Sequence, residues 1–565
     1  MAKIKKDLSI VLSGPAGGGI QTVEHLLIRI LKLSGYNVFA TKEYMSRVRG
    51  GTNSTEIRIS SSRVDAFVDR IDLLVALDEQ AVKRIKERVS EETVILGEDE
   101  IVGEMKNGIK VDFSEIATKI GSKIYSNTIA AGVISGILNI EQKIINGYLK
   151  DYFSSKGEET VKKNIEAIGE GYRIGRALSD SEKVRLDIPK RGKGKDELLL
   201  NGAEAVALGA IAGGYNFISS YPMSPSTSVL VELAQHSDRF GIVVEQAEDE
   251  ISAINMAIGA WYGGARGMVT TSGGGFALMQ EGVSLAGMIE SPLVVHLGQR
   301  PGPATGLPTR TEQADLQFVL RAGHGEFPRI IFAPGEIEEA FYLTQRAFNL
   351  ADKYQIPVFV LTDQYLIDSY YNIPSLKLSK IKVERYIEKT KKDYKRYRLR
   401  ESGISSRGIP GFGEGVVVVD SDEHDEGGHI TEDLILRKRM VEKRLKKSKL
   451  LEEEVIPSEL FGRENYDILV IGWGSTRNII KEALEEINRD SIALLHFKQV
   501  YPVYQKTADY LKKAKKLVVV ENNATSQFSQ LIKLSTGIEV DHKVLKYNGL
   551  PFSVEEVMEN LKEII

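Results

Sequence analysis

Apolar positions recur along this chain with two periods, and the switches between them mark out its elements. Leu8-Ser9-Ile10-Val11-Leu12 is an apolar run of strand length. The segment "IQTVEHLLIRILKL" beyond the next glycines repeats apolar residues every three or four positions, as a helix with one buried face does. Ser54 to Ile59 alternates with a period of two, and apolar runs return at Leu73 to Leu77 and Val94 to Leu96, with helical segments between. Strands and helices alternating up to about residue 180 predict an α/β domain.

A charged, glycine-containing linker from Lys190 to Glu197 opens a second alternation. It reads as a small-residue helix, a strand ending in "YPMSPSTS", a helix, a strand with an acidic turn, a tightly packed helix, a strand, a glycine turn, a helix and a strand. That order predicts a parallel sheet with ligand loops at the carboxyl ends of its strands. Between about 376 and 455 lysine, arginine and glutamate dominate, which predicts solvated helix faces or a connector. "YDILVIGWGSTRNIIKEALEEI" then starts a new strand–helix pattern. The expected architecture is multidomain α/β: 1–189, 190–375, a charged connector over 376–455, and a smaller α/β domain over 456–565.

Chemistry is expected in the loops. In "YPMSPSTS" Pro222 and Pro225 bias Tyr221 and Ser224 towards extended backbone, giving a stiff loop that can aim hydroxyls; the plain alternative is that Pro225 opens a helix and Ser224 caps it. Two further loops follow strands of the same predicted sheet: the acidic turn Glu245 to Glu250, and Gly298 to Leu316, which carries Arg300, Thr309 and Arg310. Carboxylates at a helix start can simply satisfy amide donors, whereas a guanidinium in a proline–glycine loop suits a carboxylate ligand. In the first domain, Gly14, Gly17, Gly18 and Gly19 between strand and helix fit either a phosphate turn or tight packing. Lys42, Arg47 and Arg49 around Gly50-Gly51 suggest an anionic ligand such as a nucleotide or coenzyme A, or else a solvated basic loop. His424 and His429 lie in "SDEHDEGGHITED" without tight ligand spacing, so a polar loop is expected there rather than a metal site.

Composition narrows the classes. Among 565 residues there is no cysteine, which excludes thiol catalysis, thiolate zinc sites and a cysteine-ligated iron–sulfur cluster on this chain. The net charge of −4 argues against nucleic acid or an anionic membrane as main partner. No apolar run is long enough to cross a bilayer, and the lysine-rich start reads as a strand cap rather than a secretory signal, so a cytoplasmic location is expected. The cysteine-free, Lys/Glu/Ile-rich composition is of the type found in thermophile chains.

Taken in order, "SGPAGGGIQT", "YMSRVRGGTNSTEIRIS", "YPMSPS", "EQAEDEISAINMAIGA", "TTSGGGFALMQEG", "GQRPGPATGLPTRTEQADL", "GFGEG" and "VVVENNATSQFSQLI" resemble segments of the fused gamma–alpha subunit of archaeal-type 2-oxoacid:ferredoxin oxidoreductases. The resemblance spans nearly the whole chain. It implies a gamma-like α/β domain, a pyrimidine-binding thiamine diphosphate domain and a transketolase C-terminal-like domain. It also implies a separate beta subunit carrying the diphosphate site, Mg²⁺ and a [4Fe–4S] cluster, in a heterodimer or dimer of heterodimers, with ferredoxin as electron acceptor.

By that resemblance Glu250 is the acid beside the aminopyrimidine, with Glu245 as fallback, and Pro222 is a further cofactor contact. Arg300, Thr309, Ser224 and Tyr221 bind the 2-oxoacid, and coenzyme A is expected near Gly14, Gly17, Gly18, Lys42, Arg47 and Arg49. This chain has Met223-Ser224 where the family usually has isoleucine–threonine, which keeps the hydroxyl and slightly enlarges the pocket. The implied reaction is coenzyme A-dependent oxidative decarboxylation of pyruvate, 2-oxoglutarate or both. An indolepyruvate-type subunit and a non-catalytic nucleotide- or coenzyme A-binding scaffold are the alternatives.

Overall fold

In the computed structural model the residues described are 6–17, 19–46, 51–184, 186–191 and 197–565. They form two compact units, one comprising the chain up to Leu200 with Asp368–Ser375, the other Asn201–Ile367 with Leu376–Ile565.

The first unit is built on an eight-stranded mixed sheet. Asp7–Pro15 lies at its middle, antiparallel to Thr52–Ser60 and parallel to Leu73–Ala76. The predicted amphipathic helix runs over Ile20–Leu33 and buries Val23, Leu26, Leu27, Ile30 and Leu31. Two glycine-bearing helices, Ser126–Ile137 and Glu158–Asp180, pack backbone to backbone: a Cβ on Gly132 would lie 2.3 Å from the Ile168 carbonyl oxygen, and one on Gly171 2.0 Å from that of Ile129. The strand Tyr370–Ile373 also belongs to this sheet, antiparallel to Asn37–Glu43. Residues 368–375, which the sequence pattern puts at the end of the second domain, therefore return to the first unit. An edge that needs a partner recruits them, and local periodicity carries no record of that pairing.

The second unit holds a seven-stranded and a five-stranded sheet. In the first, Ile330–Phe332, Pro357–Asp363, Leu293–Gln299, Gly267–Thr271, Phe217–Ser220 and Val243–Gln246 run parallel in that spatial order, and Gln499–Tyr501 closes one edge antiparallel. The small-residue helix Gly202–Ala212 packs closely: a Cβ on Gly209 would sit 2.4 Å from the Phe341 carbonyl oxygen. One hydrophobic core joins both sheets of this unit, with Phe276, Phe359, Trp473, Phe497 and Phe528 within it.

The charged stretch is less solvated than its composition predicts. Its helix Leu434–Glu453 buries Lys443 and Lys447 against Glu290, with Lys447 Nζ 2.6 Å from Glu290 Oε2. Burial works to raise the Glu290 carboxyl, but the two lysines and Arg396 hold it below its ordinary value. Charge composition shows the abundance of lysine there but not which of them meet an interior carboxylate. His424 is likewise enclosed, packed at a tilt against Tyr397 with ring centroids 3.9 Å apart. Among the described residues no group of three or more histidines and carboxylates is placed to hold a metal ion, and no helix is long and apolar enough to cross a membrane.

Candidate active site

Parallel strands leave their carboxyl ends on one side of the sheet, so the loops after Ser220, Gln246, Thr271 and Gln299 share that rim. A polar ladder runs across the strands just below. His296 meets Thr270 Oγ1 at 2.7 Å and Thr362 Oγ1 at 2.9 Å, and burial lowers its imidazole to about 3, keeping it neutral.

Glu250 is the first residue of the helix Glu250–Tyr262, which Asp249 caps by accepting from the Ser252 amide at 2.7 Å. With the cap supplied by its neighbour, the Glu250 side chain is released from that task. It is 3% exposed, and its Oε1 is buried with no hydrogen-bond partner. Burial raises its carboxyl above the ordinary value; its own backbone amide opposes the rise and Asp249 adds to it. Glu245, on the edge strand, is exposed. The glycine-rich first turn of the helix Gly273–Leu278 lies close: a Cβ on Gly275 would come within 2.4 Å of both Glu250 Oε1 and Thr271 Oγ1. Glycine is required there because a carboxyl occupies the space.

The proline loop meets the arginine loop. Arg300 donates through one terminal nitrogen to the Ser224 carbonyl at 2.6 Å, while its Nε is buried without a partner. Burial lowers the Arg300 guanidinium from its ordinary value, with Asp315 acting against that. Thr309 is 9% exposed on the same loop. Gly306, at φ +53, lets the loop double back; a Cβ there would strike the Pro301 carbonyl at 1.7 Å. Tyr221 is 42% exposed, and Pro222 and Ser224 are partly buried. The helix after the loop begins at Thr227 rather than at Pro225, and Ser226, which precedes it, donates its hydroxyl to the Met223 carbonyl at 2.7 Å. The loop is thus braced from within, and Ser224 caps nothing.

Sequence reasoning missed the residues that anchor the Gly298–Leu316 loop. Gln313 bonds the Asn522 carbonyl, the Asn522 amide and the Trp473 carbonyl at 2.7, 3.1 and 3.0 Å, and Gln527 donates to the Ala314 carbonyl at 2.7 Å. Amides in "TEQADL" and "ENNATSQF", some 200 residues apart, form one lattice; their density was the only sequence signal. Asp315, whose amide donates to Gln299 Oε1 at 3.0 Å, was also missed.

In the first unit, Gly17 and Gly19 both adopt positive φ, at 83° and 87°, between Pro15 and the helix Ile20–Leu33. Gly14 is tightly packed, with 3.0 Å between a built Cβ and Leu77 Cβ. Lys42 pairs with Asp368 at 3.2 Å; burial works to lower its ammonium, but Asp368 and Glu24 raise it. It is therefore tied to carboxylates of its own unit rather than standing as a lone cation. Gly18, Arg47 and Arg49 lie outside the described residues.

Comparison with known proteins adds to this geometry. Residues 208–443 match the family described as "Pyruvate flavodoxin/ferredoxin oxidoreductase, thiamine diP-bdg", and residues 9–174 match "Pyruvate ferredoxin/flavodoxin oxidoreductase". A 2-oxoacid:ferredoxin oxidoreductase subunit alpha from Sulfolobus sp is 36% identical over 99% of this chain and 97% of its own length. The 2-oxoglutarate synthase subunit KorA of Methanothermobacter thermautotrophicus is 32% identical over 64% of this chain and 97% of its own. A solved 2-oxoglutarate:ferredoxin oxidoreductase from Magnetococcus marinus, with 2-oxoglutarate, coenzyme A and succinyl-CoA bound, is 32% identical and superposes with a TM-score of 0.91 over 99% of each chain.

Proposed function

The chain belongs to the alpha subunits of the 2-oxoacid:ferredoxin oxidoreductases, and on that premise we propose that it supplies the acid and the substrate-carboxylate site for coenzyme A-dependent oxidative decarboxylation of pyruvate or 2-oxoglutarate. Glu250 carries the proposal. Its one unpartnered, buried oxygen fits a nitrogen of the aminopyrimidine ring of thiamine diphosphate, and a carboxyl raised by burial can hold a proton there and give it up. When bound, that cofactor supplies the electron sink for decarboxylation. Exposed Glu245 lacks the dry surroundings this role needs.

Arg300 is the proposed anchor of the 2-oxoacid carboxylate, with Thr309 beside it on the loop. The Ser224 carbonyl orients the guanidinium, and the unpartnered Nε is the support for a ligand. Ser224, Tyr221 and Pro222 would line the approach, with Pro222 a further residue to hold the cofactor. Coenzyme A is assigned to the glycine turn of the first unit, where the amides of Gly17 and Gly19 precede a fourteen-residue helix. With no cysteine here, the cluster that takes the electrons sits on a partner subunit, from which ferredoxin is reduced.

The test is anaerobic viologen reduction by the complex isolated on a tagged copy of this chain, with pyruvate and 2-oxoglutarate, with and without coenzyme A. Coenzyme A-dependent reduction is expected with at least one acid. A complex that holds thiamine diphosphate and a cluster yet reduces no dye with either acid overturns the substrate assignment.

A further inference from the structure

Arg300 and Asp315 stand near the two ends of one loop, and each keeps a buried polar atom without a partner: Nε of Arg300 and Oδ2 of Asp315. Gln299 clamps the loop's ends together, accepting from the Asp315 amide at 3.0 Å and donating to the Thr362 carbonyl at 3.1 Å. The Asp315 carboxyl rests on the glycine turn that also borders Glu250: a Cβ on Gly273 would lie 2.4 Å from its Oδ1. The charged groups acting on it are Glu312 and Arg300, and the Gly273 turn on its other side brings no side chain. Burial and Glu312 raise the carboxyl to about 7, with Arg300 pulling the other way. A second acid, of no assigned role, therefore lies within electrostatic reach of the arginine, at the loop end that Gln299, the neighbour of Arg300, holds by its amide.

Resting on the 2-oxoacid reading above, we infer that Asp315 is a positioning residue that competes with the substrate carboxylate for the Arg300 guanidinium. It sets how tightly the acid is held rather than how fast it reacts. Ionised, Asp315 partly neutralises the guanidinium and repels an incoming carboxylate. Protonated, it leaves the full charge to the substrate. A 2-oxoacid stays ionised throughout the neutral range, so the change belongs to the protein.

The experiment measures KM and kcat by viologen reduction in the assembled complex across the range around pH 7, for wild type, Asp315→Asn and Glu312→Gln. Wild-type KM is expected to rise by about tenfold as pH climbs through that range, with kcat moving by less than about twofold. Asp315→Asn should give a low KM that no longer depends on pH. Glu312→Gln removes a like charge, lowers the Asp315 carboxyl and moves the rise in KM to lower pH; it serves equally if the asparagine variant does not assemble. A wild-type KM independent of pH, or an asparagine variant that loses kcat while keeping the wild-type KM profile, overturns the inference. If the wild-type complex reduces no dye with any 2-oxoacid, the reading beneath it fails instead, before any variant is made.

Discussion

Two buried glutamates in the second unit occupy similar positions, near helix starts after parallel strands, and are treated in opposite ways. Glu521 ends the strand Lys516–Glu521 and receives hydrogen bonds from the amides of Phe528 and Ser529 at 2.9 and 3.0 Å, from Asn523 Nδ2 at 2.8 Å, from Ser526 Oγ at 3.2 Å and from Trp473 Nε1 at 3.3 Å. Glu250 has one buried oxygen with no donor at all. A carboxylate saturated by its own fold has nothing left to offer a ligand. One buried with an empty valence carries a cost, and such a cost is retained where a bound group relieves it.

That contrast can be broken most sharply at Glu250. Glu250→Gln should lower dye reduction by about 10²- to 10⁴-fold while the melting temperature of the complex barely moves. A variant that melts early and keeps its kcat would place Glu250 with the structural carboxylates. Glu521→Ala should do the reverse. Leaving two helix amides and the Trp473 indole N–H without their acceptor is expected to cost about 3–5 kcal/mol in chemical denaturation, while the molecules that remain folded keep their kcat. A smaller effect is expected from Gly275→Ala, whose new methyl group must displace the Glu250 carboxyl or Thr271. A misplacement of that size should cost about 10- to 100-fold in kcat, with KM less affected. Full activity in that variant would mean that the acid need not sit where the turn holds it.

The first unit sharpens the comparison from another side. Glu24 is 3% exposed, keeps Oε1 without a partner and is raised to about 7 by burial, so it resembles Glu250 in electrostatics. Lys42 lies beside it and pulls its carboxyl the other way. An orphaned oxygen alone is therefore no mark of a catalytic acid. The role proposed for Glu250 rests as well on its place on a rim of loops that carries a guanidinium and a run of glycines closely fitted to its carboxyl.

The strand and helix order of this chain was legible in its sequence because alternation and helical spacing are local properties. So were the proline loop, the acidic turn and the arginine loop, whose residue types restrict backbone conformation or carry charge that few other roles require. The absence of cysteine excluded a cysteine-ligated cluster from this chain by chemistry alone. Other features depended on distant partners and so on the tertiary structure. Only there does Tyr370–Ile373 join the sheet of the first unit, do Lys443 and Lys447 meet Glu290, and do Gln313, Asn522 and Gln527 fasten a loop across some 200 residues. Which of Glu245 and Glu250 is buried is of the same kind. The two lie close together in the chain, and solvent access, which the packing of Gly275 and Thr271 decides, separates an exposed carboxylate from one whose carboxyl burial raises.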